Sequence, residues 1–295
     1  MLKIDKLYKN FGNKEVLKGL DLEIQDGSIF GLVGINGAGK STLLRIIAGV
    51  YEPEQGCVLF NDCDTYDDPK IRKEIAFVSD EQFYPIGSTI KSVKQIYESM
   101  YDFSEAKYQK FLKMFELDEK DSILNLSKGN KRRVALLFAL STEPKLLLLD
   151  EAYDGLEPLI RYKFKQALAD LIEDEHLTVI ISSHNLKELE DICDSFGILE
   201  DGRMLEYGDL SDSKENINKY QIVFEKEIEK DAFNDFNILH LENEGRVYQL
   251  VAKGNQEEVL SQIEAMHPIL VDVLQVNFEE LFIYELEGRS KSNDQ

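Results

Sequence analysis

Residues Gly34-Ile35-Asn36-Gly37-Ala38-Gly39-Lys40-Ser41 complete the pattern G-x-x-x-x-G-K-[ST], and few eight-residue strings limit so sharply what a chain can fold into. The apolar run Ile29-Phe30-Gly31-Leu32-Val33 precedes it as a buried strand, and Thr42-Leu43-Leu44-Arg45-Ile46-Ile47-Ala48 follows with helical spacing. Strand, glycine loop and helix stand in the order that a phosphate-binding loop requires. Without side chains at Gly34, Gly37 and Gly39 the backbone can close around a polyphosphate, its N–H groups aimed at the anion from the positive end of the helix. The pattern therefore predicts a bound nucleoside triphosphate, ATP or GTP, cradled by Asn36, Gly37, Ala38, Gly39 and Thr42. Lys40 is expected to reach the β- and γ-phosphates, and the Ser41 hydroxyl to ligate Mg²⁺.

Composition narrows the classes. The chain has 295 residues, enough for two domains, and its 34 basic against 56 acidic residues give a net charge of −22. That balance repels nucleic-acid phosphates, so DNA or RNA is not expected as the main ligand. Cys57, Cys63 and Cys193 form no cluster with metal-ligand spacing and read as reduced cytosolic thiols. No apolar run approaches the roughly 18 residues that span a bilayer, and Met1-Leu2-Lys3-Ile4-Asp5 lacks a signal-peptide core. A cytoplasmic chain is expected, with any membrane role coming through a partner.

The first 60 residues read as strands with short turns, including the alternation Leu20-Asp21-Leu22-Glu23-Ile24 closed by Asp26-Gly27. Residues 68–144 are mostly helical in pattern, with Phe111, Leu112, Phe115 and Leu117 on one apolar face and Val134, Leu137, Phe138 and Leu140 on another. Strands then alternate with helices: strands at 146–149, 179–182 and 196–199, helices around 161–172 and 186–193. Continuous apolar strands between amphipathic helices predict an α/β fold with its sheet covered on both faces. Composition shifts at Ser211-Asp212-Ser213-Lys214, and residues 211–295 are expected to form a small α+β domain. Its strands are predicted at 221–224, 247–251 and 269–273 and its helices at 257–266 and 278–286, the last capped by Asn277 with Glu280 in the capping-box position and Phe278, Leu281 and Phe282 on one face. Its 8 basic and 18 acidic residues again disfavour nucleic acid.

Leu146-Leu147-Leu148-Leu149-Asp150-Glu151 is a buried strand ending in two carboxylates, 110 residues after Lys40. An acidic pair at a strand's carboxyl end is costly unless it holds a cation or a proton. Asp150 is accordingly assigned to the Mg²⁺ shell and Glu151 to polarising the attacking water, and the two motifs together predict hydrolysis.

With Leu126-Ser127-Lys128-Gly129-Asn130 standing just upstream of that strand, where the LSGGQ signature is kept, the chain resembles the ATP-binding cassette (ABC) family. The resemblance covers residues 1–210 and implies a cassette with an inserted helical subdomain at about 80–145. It implies that two cassettes stack head to tail, so that Ser127 and the Gly129 backbone contact the γ-phosphate held by the other subunit. Ile180-Ile181-Ser182-Ser183-His184 resembles the switch loop, which assigns His184 to the γ-phosphate and the water beside Glu151. Tyr153-Asp154-Gly155-Leu156-Glu157-Pro158 resembles the loop linking the two sites, and Tyr8-Lys9-Asn10-Phe11-Gly12 the segment whose aromatic, Phe11 here, stacks on adenine.

The sequence departs from the family pattern at several points. Lys128 and Asn130 replace Gly and Gln in the signature, and Glu157 stands where Asp is usual. Ser79-Asp80 replace Pro-Gln in the glutamine loop, where Asp80 is assigned to Mg²⁺ or its water and Gln82 is the rival; Phe83, Tyr84 and Pro85 become candidates for contact with a membrane subunit. Val276-Asn277-Phe278-Glu279-Glu280-Leu281-Phe282-Ile283-Tyr284 resembles the ending of exporter cassettes associated with bacitracin, lantibiotic and antimicrobial-peptide resistance. The implied protein is a Mg-dependent ATPase subunit that pairs with a second cassette and with a separately encoded integral membrane permease. A low-turnover regulatory nucleotide switch, an import subunit and a soluble non-transport ATPase are the alternatives.

Overall fold

The computed structural model describes residues 1–151, 153, 155–210, 217–277, 279–280 and 283–284. The chain separates into two compact units, Met1–Tyr207 and Gly208–Gln295. The sequence-based division after residue 210 stands three residues further along.

In the first unit, β1 (Leu2–Phe11) and β2 (Lys14–Ile24) form an antiparallel hairpin turned at Gly12, and β4 (Gln55–Phe60) and β5 (Cys63–Asp64) extend that sheet in the order β2-β1-β4-β5. The second sheet is built on β3 (Ile29–Val33), β6 (Ile75–Val78), β7 (Leu146–Asp150), β8 (Thr178–Ser182) and β9 (Ser195–Glu200), with β10 (Arg203–Asp209) at its edge. Its order is β10-β9-β3-β8-β7-β6, and the pairings of β3 with β8 and β9, of β7 with β8 and of β6 with β7 are parallel. Every residue of β3, β7 and β8 is buried, which is why these strands read as unbroken apolar runs.

Helix α1 (Lys40–Ile47) leaves the end of β3 and buries Leu43, Leu44, Ile46 and Ile47 in a core shared by both sheets. After α2 (Pro69–Lys73) and β6 comes the helical insertion: α3 (Ile90–Met100), α4 (Glu105–Met114), a 3-10 turn at Ile123–Asn125 and α5 (Lys128–Ser141). Thr89 and Ser92 cap α3 reciprocally, Ser104 caps α4, and Ser127 caps α5 by accepting the Asn130 N–H. From Arg132 to Ser141 every residue of α5 is buried, so this helix forms the centre of the insertion. Its Phe138 stacks on Tyr97 with ring centroids 4.7 Å apart. Helix α6 (Pro158–Glu175) and the five-residue α7 (Leu186–Glu190) complete the unit; α7 stops three residues before the predicted end at 193.

In the second unit the sheet runs β12-β13-β11-β14, all pairs antiparallel, from β11 (Ile217–Val223), β12 (Ile238–Glu244), β13 (Val247–Lys253) and β14 (Leu270–Leu274). Helix α8 (Gln256–Ala265) is capped by Asn255 and packs Val259 and Ile263 with Tyr220, Ile222, Tyr248 and Leu250. Strand β12 has no counterpart among the predicted elements. The Asn277 cap is formed as expected: its Oδ1 accepts the Glu280 N–H at 2.9 Å and Glu280 Oε2 accepts the Asn277 N–H at 3.2 Å. Phe278, Leu281 and Phe282 lie outside the described residues. No helix among the described residues is long and apolar enough to cross a membrane.

Candidate active site

The glycine loop meets two separate demands. Gly37 and Gly39 adopt φ of 86° and 113°, a region that side chains disfavour, and Gly39 opens directly into α1. Gly34 has a different reason to lack a side chain: a Cβ there would stand 2.4 Å from the Leu199 carbonyl oxygen of β9. That close approach alone keeps a side chain out of position 34. Lys40 is buried, and its Nζ donates to the Gly34 carbonyl at 2.6 Å and the Ile35 carbonyl at 3.3 Å. Beside it opens a cleft lined by Asn36, Gly37, Gly39, Lys40, Ser41, Thr42 and Glu151. Lys14 and Val16 of β2 line it too, and sequence reasoning gave them no role. Ala38 is buried in the loop, its N–H bonded to the Ile35 carbonyl at 3.1 Å.

The acidic strand end lies against this loop. Ser41 Oγ donates to Asp150 Oδ1 at 3.0 Å, and Ser182 Oγ donates to the same oxygen at 2.8 Å. Asp150 is 1% exposed, and its Oδ2 has no hydrogen-bond partner among the described residues. A buried anionic oxygen left bare beside a hydroxyl is a costly arrangement that a hard cation would relieve, so the donor set fits Mg²⁺. Among the described residues no cluster of three metal-ligating side chains exists. A cation here therefore needs further oxygens from phosphate or water, as Mg²⁺ in nucleotide sites does.

Glu151 has a left-handed backbone, φ 51°, fixed by its N–H donating to the Ser182 carbonyl at 3.1 Å and to Ser182 Oγ at 3.2 Å. A non-glycine residue held there costs on the order of 1–3 kcal/mol, and such strain concentrates at functional sites. It turns the carboxylate toward the cleft and toward His184, whose Nδ1 lies 3.7 Å from Glu151 Oε1.

Other expected residues stand apart from this cleft. Phe11 ends β1 as a half-exposed ring, packed edge-on by Tyr51 at 5.4 Å and lying under Lys9 Nζ. Ser127 and Gly129 form the first turn of α5, where a Cβ on Gly129 would meet the Gly155 carbonyl at 3.2 Å. Asp154, in the same loop as Gly155, lies outside the described residues. Asp80, expected at the metal, makes other contacts: its Oδ1 pairs with Lys128 Nζ at 3.2 Å and with Arg132 Nη2 at 2.5 Å. Burial alone would raise its carboxyl, but the hydrogen bonds and charges of Lys128 and Arg132 outweigh that and hold it below the ordinary carboxylate value. Its rival Gln82 donates to the Ser79 carbonyl at 2.6 Å. The metal assignment accordingly goes forward for Ser41 and Asp150.

The model of the family described as ABC transporter fits residues 17–154. ABC transporter ATP-binding protein YtrB of Bacillus subtilis is 30% identical over 99% of this chain and 100% of its own length. The chain belongs to the ABC transporter ATP-binding family. As such a cassette it is an ATPase whose hydrolysis of ATP is coupled to transport. The lantibiotic transport ATP-binding protein SrtF of Streptococcus pyogenes is 31% identical over 77% of the cassette chain and 99% of its own. The methionine import ATP-binding protein MetN of Clostridioides difficile is 33% identical over 72% and 70%. The cassette MJ0796, solved as a dimer in a post-hydrolysis state with ADP and Pi, superimposes with a TM-score of 0.64 at 27% identity, covering 71% of this chain and 99% of that one.

Proposed function

We propose that this cassette drives an exporter, with peptide or antimicrobial cargo, as the peripheral ATPase on the cytoplasmic face of a separately encoded permease. Two cassettes close on ATP, and hydrolysis reopens them. The observation that carries the chemistry is the Ser41–Asp150–Ser182 cluster beside the strained Glu151. Lys40 neutralises charge on the β- and γ-phosphates, and Asn36 to Thr42 supply backbone donors to the same oxygens. Ser41 Oγ and Asp150 Oδ2 would hold Mg²⁺, which when bound draws charge from the phosphate oxygens. Glu151 accepts a proton from the attacking water, and His184 holds Glu151 and the γ-phosphate in line. Ser127 and the Gly129 N–H complete the partner cassette's site at the N-terminus of α5. Phe11 stacks on adenine.

The permease contact is assigned to the groove between β6 and the helical insertion, lined by Phe77, Val78, Tyr84, Tyr97, Ala135 and Ala139. Phe83, which lines this groove, and Ile86, three residues further on, are 91% and 92% exposed. Export rather than import rests on SrtF and on the exporter-like ending of the sequence. The test is Glu151→Gln, expected to lower ATP turnover by about 10²–10⁴ with nucleotide binding kept. Near-normal turnover in a steady-state ATPase assay would remove Glu151 from its role. Co-purification from solubilised membranes identifies the permease, and recovery of the cassette without any integral protein would overturn the transporter assignment.

A further inference from the structure

The three departures at Asp80, Lys128 and Glu157 are scattered over 78 positions of sequence but meet on the first two turns of α5. Asp80, just beyond β6, pairs with Lys128 and Arg132 of α5, whereas Glu157, in the loop after β7, pairs through Oε1 with Arg133 Nη2 at 2.9 Å. Consecutive residues on a helix point about 100° apart, so Arg132 and Arg133 leave α5 in different directions, the first to Asp80 and the second to Glu157. Arg132 also lies against the second loop, since a Cβ on Gly155 would stand 2.7 Å from its Nη1. Both guanidinium groups are buried, with side chains only 6% and 8% exposed.

The electrostatics explain why the departures belong together. The first turn of α5 has no acidic residue, while Lys128, Lys131, Arg132 and Arg133 crowd cations onto the positive end of the helix. Lys128 and Arg132 are a like-charge pair at i, i+4, which destabilises a helix unless an anion stands between them. Asp80 is that anion. With a neutral residue at 80, Lys128 and Arg132 would lose the carboxylate they share; with glycine at 128, Asp80 and Arg132 would keep their ion pair.

We propose that Asp80, Lys128, Arg132, Arg133 and Glu157 form one set of positioning residues, which locks the signature turn of this cassette to the loops after β6 and β7. A lysine is tolerated in the signature because the glutamine-loop position carries a carboxylate. The effect on chemistry rests on the reading that Ser127 and Gly129 complete a partner's site. The lock holds those two groups in register.

A double-mutant cycle in the full-length chain tests it, with Asp80→Gln, Lys128→Gly and the pair together. Turnover, KM for MgATP, ATP-dependent association and the thermal midpoint are read for each. Asp80→Gln is expected to lower turnover about ten-fold and to weaken ATP-dependent association, with nucleotide affinity of the isolated chain kept, because the glycine loop is untouched. Adding Lys128→Gly is expected to restore turnover to within about three-fold of the parent. If the two losses multiply, or if Asp80→Gln alone is silent, the interdependence is wrong. Should Asp80→Gln fold poorly, the cycle is repeated with Asp80→Asn under the same criteria. Failure of the parent chain to associate on MgATP would instead count against the proposed function, so the two failures are distinguishable.

Discussion

The phosphate-loop side and the signature side of this cassette solve their constraints in different ways. On the first, Lys40, Ser41 and Asp150 match the family pattern without exception, and their contacts run through short hydrogen bonds to Gly34, Ser182 and one another. On the second, the pattern is broken at Lys128, Asn130, Asp80 and Glu157, and the pieces are held by ion pairs between loops and α5. Groups that face reacting atoms must suit a fixed chemistry, so a substitution there has nothing to compensate it. Groups that only hold a turn in place can change if the local charge is rebalanced.

That contrast can be broken experimentally. The largest effect is expected for Asp150→Asn, which removes the anionic oxygen from the proposed cation site: turnover should fall about 10²–10³-fold, with a higher Mg²⁺ requirement in a metal titration. No charge change elsewhere should rescue it; a rescue would erase the distinction drawn between the two sides. Next is Gly34→Ala, whose methyl meets the Leu199 carbonyl and should cost about 1–3 kcal/mol in a denaturant titration. Smallest is Glu157→Asp, which restores the usual residue on the signature side. Glu157 is 77% exposed, so the change in its pair with Arg133 should move turnover by no more than about five-fold in an ATPase assay. A loss approaching that of Asp150→Asn would show that the signature side is as unforgiving as the other.

How far the sequence could be read follows the same divide. The glycine loop, the Asp150-Glu151 strand end and His184 could be picked out because each belongs to a short contiguous string, and the structure brings them around one cleft. The fate of Asp80 was not, since its partners lie 48 and 52 residues away on another element and no local pattern announces an ion pair. The basic doublet Arg132-Arg133, following the signature directly, was the available signal. At Gly34 a second demand, a carbonyl 165 residues later that a Cβ would meet, could not be seen from the sequence. Strand β12 escaped because His240, Glu242, Asn243 and Glu244 interrupt its apolar pattern, and only pairing with β13 makes it a strand. Helix α7 was overextended because Ile192 and Cys193 keep a helical period, although they are buried by the turn that leads into β9.

The parallel ladder from Leu146↔Thr178 to Asp150↔Ser182 ends in a single hydroxyl that serves two neighbours. Ser182 Oγ gives its proton to Asp150 and receives the amide of Glu151. The strand register thus ties the Asp150 carboxylate and the Glu151 backbone to one shared oxygen. Sliding β8 by one residue would take that hydroxyl from both together.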